Sequence, residues 1–486
     1  MSRVWSVQQS AIFDFATSGT GNAVIEAVAG AGKSTTVVEA IRQVIAKFPG
    51  MSTLFLAFGK RNADDLKAKG VNARTFHSLC FNPVLRAKKL REVTASKTRD
   101  MIDARFGDKE ARMYGPFLLK LIGLGKNAGI GCLLPDIEQS WVDLADHHNL
   151  ELDHEDADFH TAIRYASELL TASNAAPAVD FDDLLYLAVK DGISLQKYDF
   201  IVVDEYQDTN SIQVAILRKI MHAKTRLLLV GDRAQAIFGF RGAESESMDK
   251  AVTEFGAIQL PLTVTYRCPT AVVKHAHQWV QHIEAAPGAI EGSVESLGDA
   301  WSVKQFVAND LVICRTTAPL IGVAYKMLKA RIPVQILGKD IGDGLKSLIK
   351  RMNAKGIPAL EAKIQSWRAR EVEKARAKKD DAKMEQVRDK ADCILFLIDT
   401  LPETERTVPA LVEVIDGLFA DKKNVTVLST IHKAKGSEAK TVYWLNSSKC
   451  PAQWAKQQWQ REQERNLCYV ATTRAQEKLV LIEEEA

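Results

Sequence analysis

The sequence predicts an α/β protein in which parallel β-sheets are covered by helices. Short apolar runs alternate with longer segments of helical pattern, which is typical of βα units. A glycine-containing loop also connects one apolar run directly to a helical segment. Because short, fully apolar runs are typical of strands buried on both faces, we expect parallel sheets rather than hairpins.

The glycine-containing loop spans Ala27–Ser34, between the apolar run Ala23–Ile25 and the helical run Thr35–Ile41. It matches the phosphate-binding pattern G-x-x-x-x-G-K-[ST] except at its first position, where Ala27 replaces glycine. Backbone N–H groups at the positive end of a helix bind polyphosphates. We expect Lys33 to reach the outer phosphates and Ser34 to hold Mg²⁺. The predicted phosphate-binding residues are Ala29, Gly30, Ala31, Gly32, Lys33 and Ser34.

A second apolar run, Phe200–Val203, ends in two carboxylates, Asp204 and Glu205. Residues at the C-terminal end of a buried parallel strand lie where open α/β sheets bind their ligands. We therefore predict that Asp204 binds Mg²⁺, directly or through water, and that Glu205 polarises the water that attacks a γ-phosphate. Phosphoryl transfer suits such a site because it depends mainly on positioning and charge stabilisation.

A third apolar run, Arg226–Val230, leads into the segment 231–243. Gln235 lies at the position expected for a residue that senses the γ-phosphate. Phe238 and Phe240 follow in a glycine-flanked, polar stretch. Exposed aromatic side chains beside an ATP site are suitable platforms for nucleic-acid bases, whereas core packing is the alternative for any single phenylalanine.

The acidic segment 204–208 and the segment 230–243 resemble motifs II and III of superfamily 1 helicases of the UvrD/Rep/PcrA type. Other segments resemble the family's remaining motifs and occur in the same order. These segments are 7–12, 54–63, 73–79, 180–185, 265–267, 311–316, 428–438 and 467–475. Each motif alone is weak, but the ordered set is specific and covers well over half of the chain.

The resemblance implies two RecA-like, parallel-sheet P-loop motor domains, each with a mainly helical insertion. The first domain is predicted at 1–80 and 180–262, with its insertion at 81–179. The second is predicted at 263–340 and 425–486, with its insertion at 341–424.

The second insertion is very polar, and we expect a projecting helix or helical hairpin there. Oppositely charged pairs three residues apart support an exposed helix. These pairs are Glu373–Arg376, Asp380–Lys383 and Glu385–Arg388.

The resemblance also implies which residues bind the nucleoside of ATP. Gln8 matches the glutamine that reads adenine, and Tyr266 matches an aromatic residue that stacks on it. Thr35 replaces an arginine that packs on adenine in many relatives, so base selectivity is expected to be looser. Glu438 is expected to reach the ribose, and Gly436 to lie near the phosphates. In relatives, ATP lies in the cleft between the two motor halves.

Two arginines complete the catalytic set implied by the resemblance. Arg267 and Arg474 are expected to act as arginine fingers, because a guanidinium pairs with phosphate in a planar fork and keeps its charge. Such a finger contributes about 10³–10⁵ in rate. The predicted catalytic residues are Lys33, Glu205, Gln235, Arg267 and Arg474.

Single-stranded DNA is the expected track of this motor. Base stacking on aromatic side chains tolerates any sequence, which suits a protein that steps along a strand. Phe240 replaces a tryptophan that is common in relatives. The candidate DNA contacts are Phe58, Thr75, Phe76, His77, Phe238, Phe240 and Arg241 in the first half, and Arg315, Thr430 and His432 in the second.

Composition narrows the class of protein further. The chain has 486 residues, a formal net charge of +3 and seven cysteines without a C-x-x-C pair. That cysteine usage favours a reducing compartment over a disulfide framework or a zinc ribbon. Neither an export signal nor a membrane-spanning run is apparent. We expect a cytoplasmic protein, associated with the nucleoid in a bacterial or phage setting.

The predicted activity is that of an ATP- and Mg²⁺-dependent DNA helicase or translocase in replication, repair or recombination. The resemblance implies 3′–5′ movement on single-stranded DNA, action at junctions of single- and double-stranded DNA, and replication or repair proteins as partners. One alternative is a translocase that strips proteins but unwinds poorly. Others are a P-loop small-molecule phosphotransferase and an ATP-switched binding protein without turnover.

Overall fold

A computed structural model of the chain describes residues 4–148, 150, 152, 156–237, 247–377 and 380–484. The chain divides into two compact units, one of Met1–Ala27 and Gly32–Leu262, the other of Val28–Ala31 and Thr263–Ala486. Each unit contains a large parallel sheet with helices. This confirms the predicted α/β class with two RecA-like domains, while the predicted boundaries of the insertions stay predictions.

Parallel strands form the sheet of the first unit. They are β1 (Asn22–Ala27), β2 (Thr53–Leu56), β3 (Ala73–Arg74), β4 (Phe200–Val203), β5 (Arg226–Gly231) and β6 (Ala257–Leu262). Their order across the sheet is β3-β2-β4-β5-β1-β6. β5 lies between β1 and β4, with Ile25 beside Val230 and Val203 beside Leu229. Because these strands are parallel neighbours, the segments that follow them emerge at one edge of the sheet.

The helices of the first unit cover this sheet and form most of the segment 81–179. They are α1 (Val7–Ser18), α2 (Lys33–Lys47), α3 (Lys60–Ala68), α4 (Phe76–Ala87), α5 (Lys97–Arg105), α6 (Asp108–Ala128), α7 (Glu138–His147), α8 (Phe159–Ala175), α9 (Phe181–Lys190), α10 (Ser211–Lys219) and α11 (Ser247–Glu254). Leu118 and Trp141 from this segment pack in the same core as Ile201 of β4. The helical insertion is therefore continuous with the motor core.

The second unit repeats the architecture. Its strands are β7 (Val264–Thr265), β8 (Glu284–Ala285), β9 (Ser293–Gly298), β10 (Leu311–Cys314), β11 (Val334–Ile336), β12 (Thr426–Thr430), β13 (Ala439–Leu445) and β14 (Ala475–Ile482). The main sheet has the order β11-β12-β10-β13-β14-β9, and β7 pairs with β8. The helices are α12 (Thr270–Ala276), α13 (Ala318–Lys329), α14 (Lys339–Met352), α15 (Ile357–Ala377), α16 (Asp381–Thr400), α17 (Val408–Phe419) and α18 (Gln458–Thr472). In the described parts of both units, no helix combines the length and apolar character needed to cross a bilayer.

The polar insertion of the second unit is helical, as predicted, but it is more deeply anchored than its composition indicates. Leu360 of α15 and Leu397 of α16 are buried in the same core as Val312 of β10. The projecting helix or helical hairpin stays a prediction, and α15 and α16 are anchored in the core at the ends where their few apolar residues are concentrated.

One of the three ion pairs predicted on this insertion is confirmed. Arg376 Nη1 lies 3.0 Å from Glu373 Oε2. Asp380 instead caps α16, because its carboxylate accepts the backbone N–H of Lys383 at 2.9 Å. The carboxylate of Glu385 pairs with Arg315, the residue directly after β10.

Candidate functional site

The loop between β1 and α2 has the backbone conformation of a phosphate-binding loop. Gly30 and Gly32 have φ angles of +73° and +75°, in the left-handed region that glycine adopts without steric cost. The carbonyl of Gly32 accepts both the backbone N–H of Thr36, at 2.9 Å, and its hydroxyl, at 3.0 Å. α2 therefore begins at Lys33 directly after the loop, and its first N–H groups lie at the positive end of the helix.

Two segments far apart in sequence meet at this helix. Lys33 Nζ lies 3.2 Å from Glu205 Oε1, and the Lys33 side chain is only 10% exposed. The hydroxyl of Ser34 donates to Asp204 Oδ2 at 3.2 Å. The parallel arrangement of β1, β5 and β4 accounts for this meeting, because the chain leaves all three strands at the same edge. The structure thus brings together the lysine, the hydroxyl and the carboxylates on which the sequence prediction depends.

Negative charge exceeds positive charge in this cluster. Burial, and then the neighbouring charge of Glu205, raises the pKa of Asp204 to about 6. Burial also raises the pKa of Asp232. Burial lowers the pKa of Lys33, but the carboxylates of Glu205, Asp232 and Asp204 raise it by more, so it lies above its ordinary value. One buried lysine therefore faces three carboxylates, a combination typical of functional sites.

The donor set of the cluster fits a magnesium ion. Mg²⁺ prefers hard oxygen ligands and is usually held by one or two protein carboxylates together with substrate phosphates. Asp204 supplies a buried carboxylate beside the hydroxyl of Ser34. An added divalent cation would also offset the excess negative charge. The predicted metal ligands, Ser34 and Asp204, are thus adjacent and chemically suitable.

Gln235 belongs to a hydrogen-bonded network at the carboxyl edge of the sheet. Its side-chain amide donates to Asp232 Oδ2 at 2.6 Å, and the backbone N–H of Asp232 donates to Gln207 Oε1 at 3.0 Å. Sequence reasoning gave no role to Asp232 or Gln207, although both lie inside segments that were recognised. Their contacts depend on the neighbouring positions of β4 and β5, which sequence spacing does not reveal.

Two of the residues predicted at the base, Gln8 and Thr35, lie in the first turns of α1 and α2, respectively. Gln8 is partly exposed, while the adjacent Gln9 is buried and its amide donates to Thr36 Oγ1 at 2.9 Å. Thr35 lines an open cavity of about 460 Å³ together with Trp5. Trp5 was not among the predicted residues, because a lone tryptophan before a helix carries no sequence signal for a binding site.

The predicted nucleotide contacts of the second unit cluster around a turn after β12 and the end of α18. Arg267 Nε lies 2.5 Å from Glu438 Oε2, and Arg267 Nη1 donates to the carbonyl of Thr473 at 3.4 Å. Tyr266 is 51% exposed, which suits a stacking residue. Gly436 has a φ of +89°. Arg267 and Glu438, predicted separately, are therefore direct neighbours.

Arg474 lies inside the second unit. It is 1% exposed, and its Nε–H donates to the carbonyl of Val470 at 2.9 Å. Its terminal nitrogens donate to the carbonyl of Ser437 at 3.3 Å and to Thr473 Oγ1 at 3.2 Å. These three contacts are with neutral oxygens, and the role of Arg474 as an arginine finger stays a prediction.

The predicted DNA contacts of the first unit differ in exposure. Phe58, which follows β2, is 41% exposed, as a stacking platform requires. Thr75 caps α4 by accepting the backbone N–H of Ser78 at 3.1 Å, and burial lowers the pKa of His77. Phe76 packs in the hydrophobic core, which favours a packing role over base stacking. Three further candidates, Phe238, Phe240 and Arg241, lie outside the described residues.

The predicted DNA contacts of the second unit include one strongly paired arginine. Arg315 donates to both carboxylate oxygens of Glu464, at 2.8 and 2.7 Å, and also pairs with Glu385. Bidentate pairs of this kind are strong, so the arrangement favours a structural role for Arg315 over a DNA contact. Thr430 is buried and His432 is partly exposed.

Comparisons with known families match most of the chain. The family model of the UvrD/REP helicase N-terminal domain matches residues 7–256. The model of the UvrD-like helicase C-terminal domain matches residues 335–486. The two matches lie on the first unit and on most of the second.

Individual relatives match over smaller parts of their own length. A probable DNA helicase II homolog of Mycoplasma pneumoniae is 27% identical over 54% of this chain and 40% of its own. The F-box DNA helicase protein 1 of Schizosaccharomyces pombe is 28% identical over 59% of this chain and 34% of its own. The ATP-dependent DNA helicase PcrA of Leuconostoc citreum is 26% identical over 54% and 37%, respectively. The matched region thus spans two fifths or less of these relatives.

Proposed function

Because this chain belongs to the UvrD/Rep helicase family, we propose that it is an ATP-dependent DNA helicase that moves along single-stranded DNA. The observation that carries the proposal is the cluster at the carboxyl edge of the first sheet. There Lys33 and Ser34, on the phosphate-binding loop, lie 3.2 Å from Glu205 and Asp204, respectively. A phosphate-binding loop beside a metal-binding carboxylate and a general base is an arrangement typical of ATP hydrolases.

In the proposed reaction, water attacks the γ-phosphorus of ATP. A bond forms between the water oxygen and phosphorus, the bond from phosphorus to the β–γ bridging oxygen breaks, and ADP leaves. Glu205 accepts a proton from the attacking water, and Lys33 offsets charge on the outer phosphates. Ser34 and Asp204 would hold Mg²⁺, which would supply positive charge to offset that of the phosphates.

Arginines of the second unit are proposed to stabilise the charge that develops on the transferred phosphate. Arg267 has the more accessible guanidinium, whereas Arg474 must exchange its hydrogen bonds with backbone carbonyls for contacts with phosphate. A guanidinium binds an ionised phosphate more strongly than a neutral oxygen, so bound nucleotide would favour this exchange. Nucleotide binding and the conformation of Arg474 would then be coupled.

Movement along DNA would follow from the same coupling. Exposed aromatic residues such as Phe58 would hold bases by stacking, which contributes about 1–3 kcal/mol per base and does not depend on sequence. Opening a base-pair step costs about 1.4 kcal/mol on average, so advancing a few bases against a duplex is feasible. We propose 3′–5′ movement, as the family resemblance implies.

The proposed setting is the cytoplasm, with association to the nucleoid in a bacterial or phage context. The proposed substrates are single-stranded DNA and its junctions with duplex DNA. Replication or repair proteins are the proposed partners, because a motor of this kind acts where single strands are exposed.

Unwinding of short duplexes with either a 3′ or a 5′ single-stranded tail tests the proposal. We expect ATP-dependent unwinding only from the 3′ tail, and none after Lys33→Ala. Unwinding from the 5′ tail would contradict the proposed direction. ATPase stimulated by DNA without unwinding would favour a translocase that strips proteins. ATPase that ignores added poly-dT would contradict the proposal and favour a small-molecule phosphotransferase.

A further inference from the structure

A buried glutamine connects the proposed general base to the end of the neighbouring strand. Gln207 lies in a short 3₁₀ turn after β4 and is 1% exposed. Its Nε2 donates to Glu205 Oε2 at 2.5 Å, and its Oε1 accepts the backbone N–H of Asp232 at 3.0 Å. Both ends of this one side-chain amide are therefore engaged, each with a different strand end.

The chemistry of the two partners determines which way the amide points. An ionised carboxylate only accepts hydrogen bonds, and a backbone N–H only donates. Turning the amide around would place oxygen against the carboxylate of Glu205 and an NH₂ group against the N–H of Asp232. Only the observed orientation satisfies both neighbours. The backbone of Gln207 is also held, because its carbonyl accepts the hydroxyl of Ser247 at 3.3 Å.

Glu205 itself needs such support. Its φ and ψ are 51° and 40°, in the left-handed region, which is unfavourable for a residue with a side chain. One oxygen of its carboxylate lies 3.2 Å from Lys33 Nζ, and the other accepts from Gln207. The two partners together fix both the position and the rotation of the carboxylate plane.

We propose that Gln207 is a positioning residue for ATP hydrolysis. Its side-chain amide fixes the position of the Glu205 carboxylate relative to Asp232, and therefore relative to Gln235. The inference rests on the proposed function, because it presumes that Glu205 is the general base. The inference adds a hydrogen-bonded connection between Glu205, the proposed base, and Gln235, the predicted γ-phosphate sensor. Gln235 belongs to this connection because its amide donates to Asp232 Oδ2 at 2.6 Å. The buried amide of Gln207, together with Asp232, therefore connects the proposed base to the predicted sensor.

The packing around Gly231 supports the same inference independently. A β-carbon at this position would lie 2.6 Å from Gln207 Oε1 and 2.7 Å from Met248 Sδ. Both distances are shorter than real contacts of a β-carbon. Met248 is flexible and can move aside, but Gln207 can move only by losing its hydrogen bonds. Glycine at 231 therefore leaves room for the amide, and Gly231→Ala is expected to displace it.

Matched substitutions separate positioning from folding. Gln207→Glu keeps the shape but places a carboxylate against Glu205, and Gln207→Met removes both hydrogen bonds. Gln213→Glu is the control, since it is the same change at a glutamine nearby whose Oε1 accepts the N–H of Asn210 at 3.0 Å. A glutamate oxygen can replace that acceptor. Each variant is assayed for kcat at saturating ATP with poly-dT, for Kd of a fluorescent ATP analogue, and for Tm.

We expect both Gln207 variants to lower kcat about 10- to 100-fold, because small displacements of a reacting group have effects of this size. The Kd for nucleotide should change less than about threefold, because Lys33 and the loop are untouched. Gly231→Ala should lower kcat in the same way, and Gln213→Glu should match the wild type.

Wild-type kcat in both Gln207 variants would overturn the inference and leave the proposed function intact. A weaker Kd with unchanged kcat would also overturn it, because Gln207 would then merely support the nucleotide-binding loop. A wild-type chain without ATPase activity would instead contradict the proposed function, and the role of Gln207 with it.

Discussion

The first unit contains two buried charge clusters of opposite character. In the quartet, defined as Lys97, Lys126, Asp180 and Asp183, two lysines face two carboxylates, and the neighbouring Asp182 has a pKa that burial and the charge of Asp180 raise. Lys97 Nζ lies 2.6 Å from Asp183, and Lys126 Nζ lies 2.9 Å from Asp180 and 2.7 Å from Asp183. In the nucleotide cluster, defined as Lys33, Asp204, Glu205 and Asp232, one lysine faces three carboxylates.

The balance of charge in each cluster separates a supporting role from a functional one. In the quartet, burial raises the pKa of Asp180, but the charge of Lys126 and the hydrogen bonds from Thr98, Lys126 and the backbone of Asp183 together lower it by more, so the carboxylate stays ionised. In the nucleotide cluster, the pKa of Asp204 rises to about 6, because burial and Glu205 outweigh Lys33. A balanced cluster is complete by itself, whereas an unbalanced one has capacity for a cation. The quartet joins helices α5 and α6 to α9, as expected of a cluster that supports the fold.

The largest expected effect is on turnover in the nucleotide cluster. Glu205→Gln removes the base while keeping the side-chain shape, so we expect kcat to fall about 10²–10⁴-fold, the usual contribution of a general base. Binding of ATP and of single-stranded DNA should persist. Steady-state phosphate release and filter binding measure the two. Near-normal hydrolysis by this variant would show that Glu205 is not the general base.

The next effect is on stability, and it concerns the quartet. Lys126→Met leaves two buried carboxylates with one lysine, and breaking a buried pair in this way costs about 3–5 kcal/mol. We expect the free energy of unfolding to fall by that amount in urea titrations. Exposed Lys67, paired with Asp64 at 3.1 Å, is the matched control. If Lys126→Met and Lys67→Met destabilised the chain equally, the buried quartet would have no special role.

A third prediction concerns pH and Asp204. Its pKa is raised to about 6 in the folded chain from an ordinary 3.8, so between these values the folded state binds more protons than the unfolded state. The stabilising contribution is complete below about pH 4 and is lost as the pH rises through about 6. Relative to Asp204→Asn, the wild type should lose about 3 kcal/mol of unfolding free energy across this window. Parallel pH profiles of the two proteins would contradict the raised pKa.

The smallest expected effect is at an exposed pair. Glu373 and Arg376 are 3.0 Å apart on α15, and both side chains are largely exposed. Because exposed pairs three residues apart contribute a few tenths of a kcal/mol, Glu373→Gln should shift the unfolding free energy by less than about 0.5 kcal/mol. A loss above about 1 kcal/mol in the urea titration would show that burial does not determine how much a charged pair contributes to the stability of this chain.

Some strands in the interior of the sheets were predictable because they are short and wholly apolar. The apolar run Phe200–Val203 coincides with β4, and the run Arg226–Val230 lies within β5. The edge strands β6 and β9 were not identified, because half-exposed strands mix polar and apolar residues. The anchoring of α15 and α16 was missed for a related reason, since a few apolar residues at one end of a charged helix barely alter its composition.

The site was predictable where a motif places chemistry directly on the backbone, as at Lys33 and Asp204. It was less predictable where a side chain has more than one possible partner. The sequence does not reveal that Arg315 pairs with Glu464, that Phe76 is in the core, or that Gln207 spans two strands. Those outcomes depend on which segments the sheet order brings together.

The most direct test of the distinction between the clusters compares Asp204→Asn with Asp183→Asn in two measurements. Both changes neutralise one buried carboxylate, and each variant is measured for urea unfolding and for ATPase activity per folded molecule with poly-dT. We predict opposite results: Asp204→Asn is more stable than the wild type at pH 7 but inactive, and Asp183→Asn is less stable but active when folded. If Asp204→Asn kept its ATPase, or if Asp183→Asn lost activity without losing stability, the assignment of one cluster to catalysis and the other to support would be wrong.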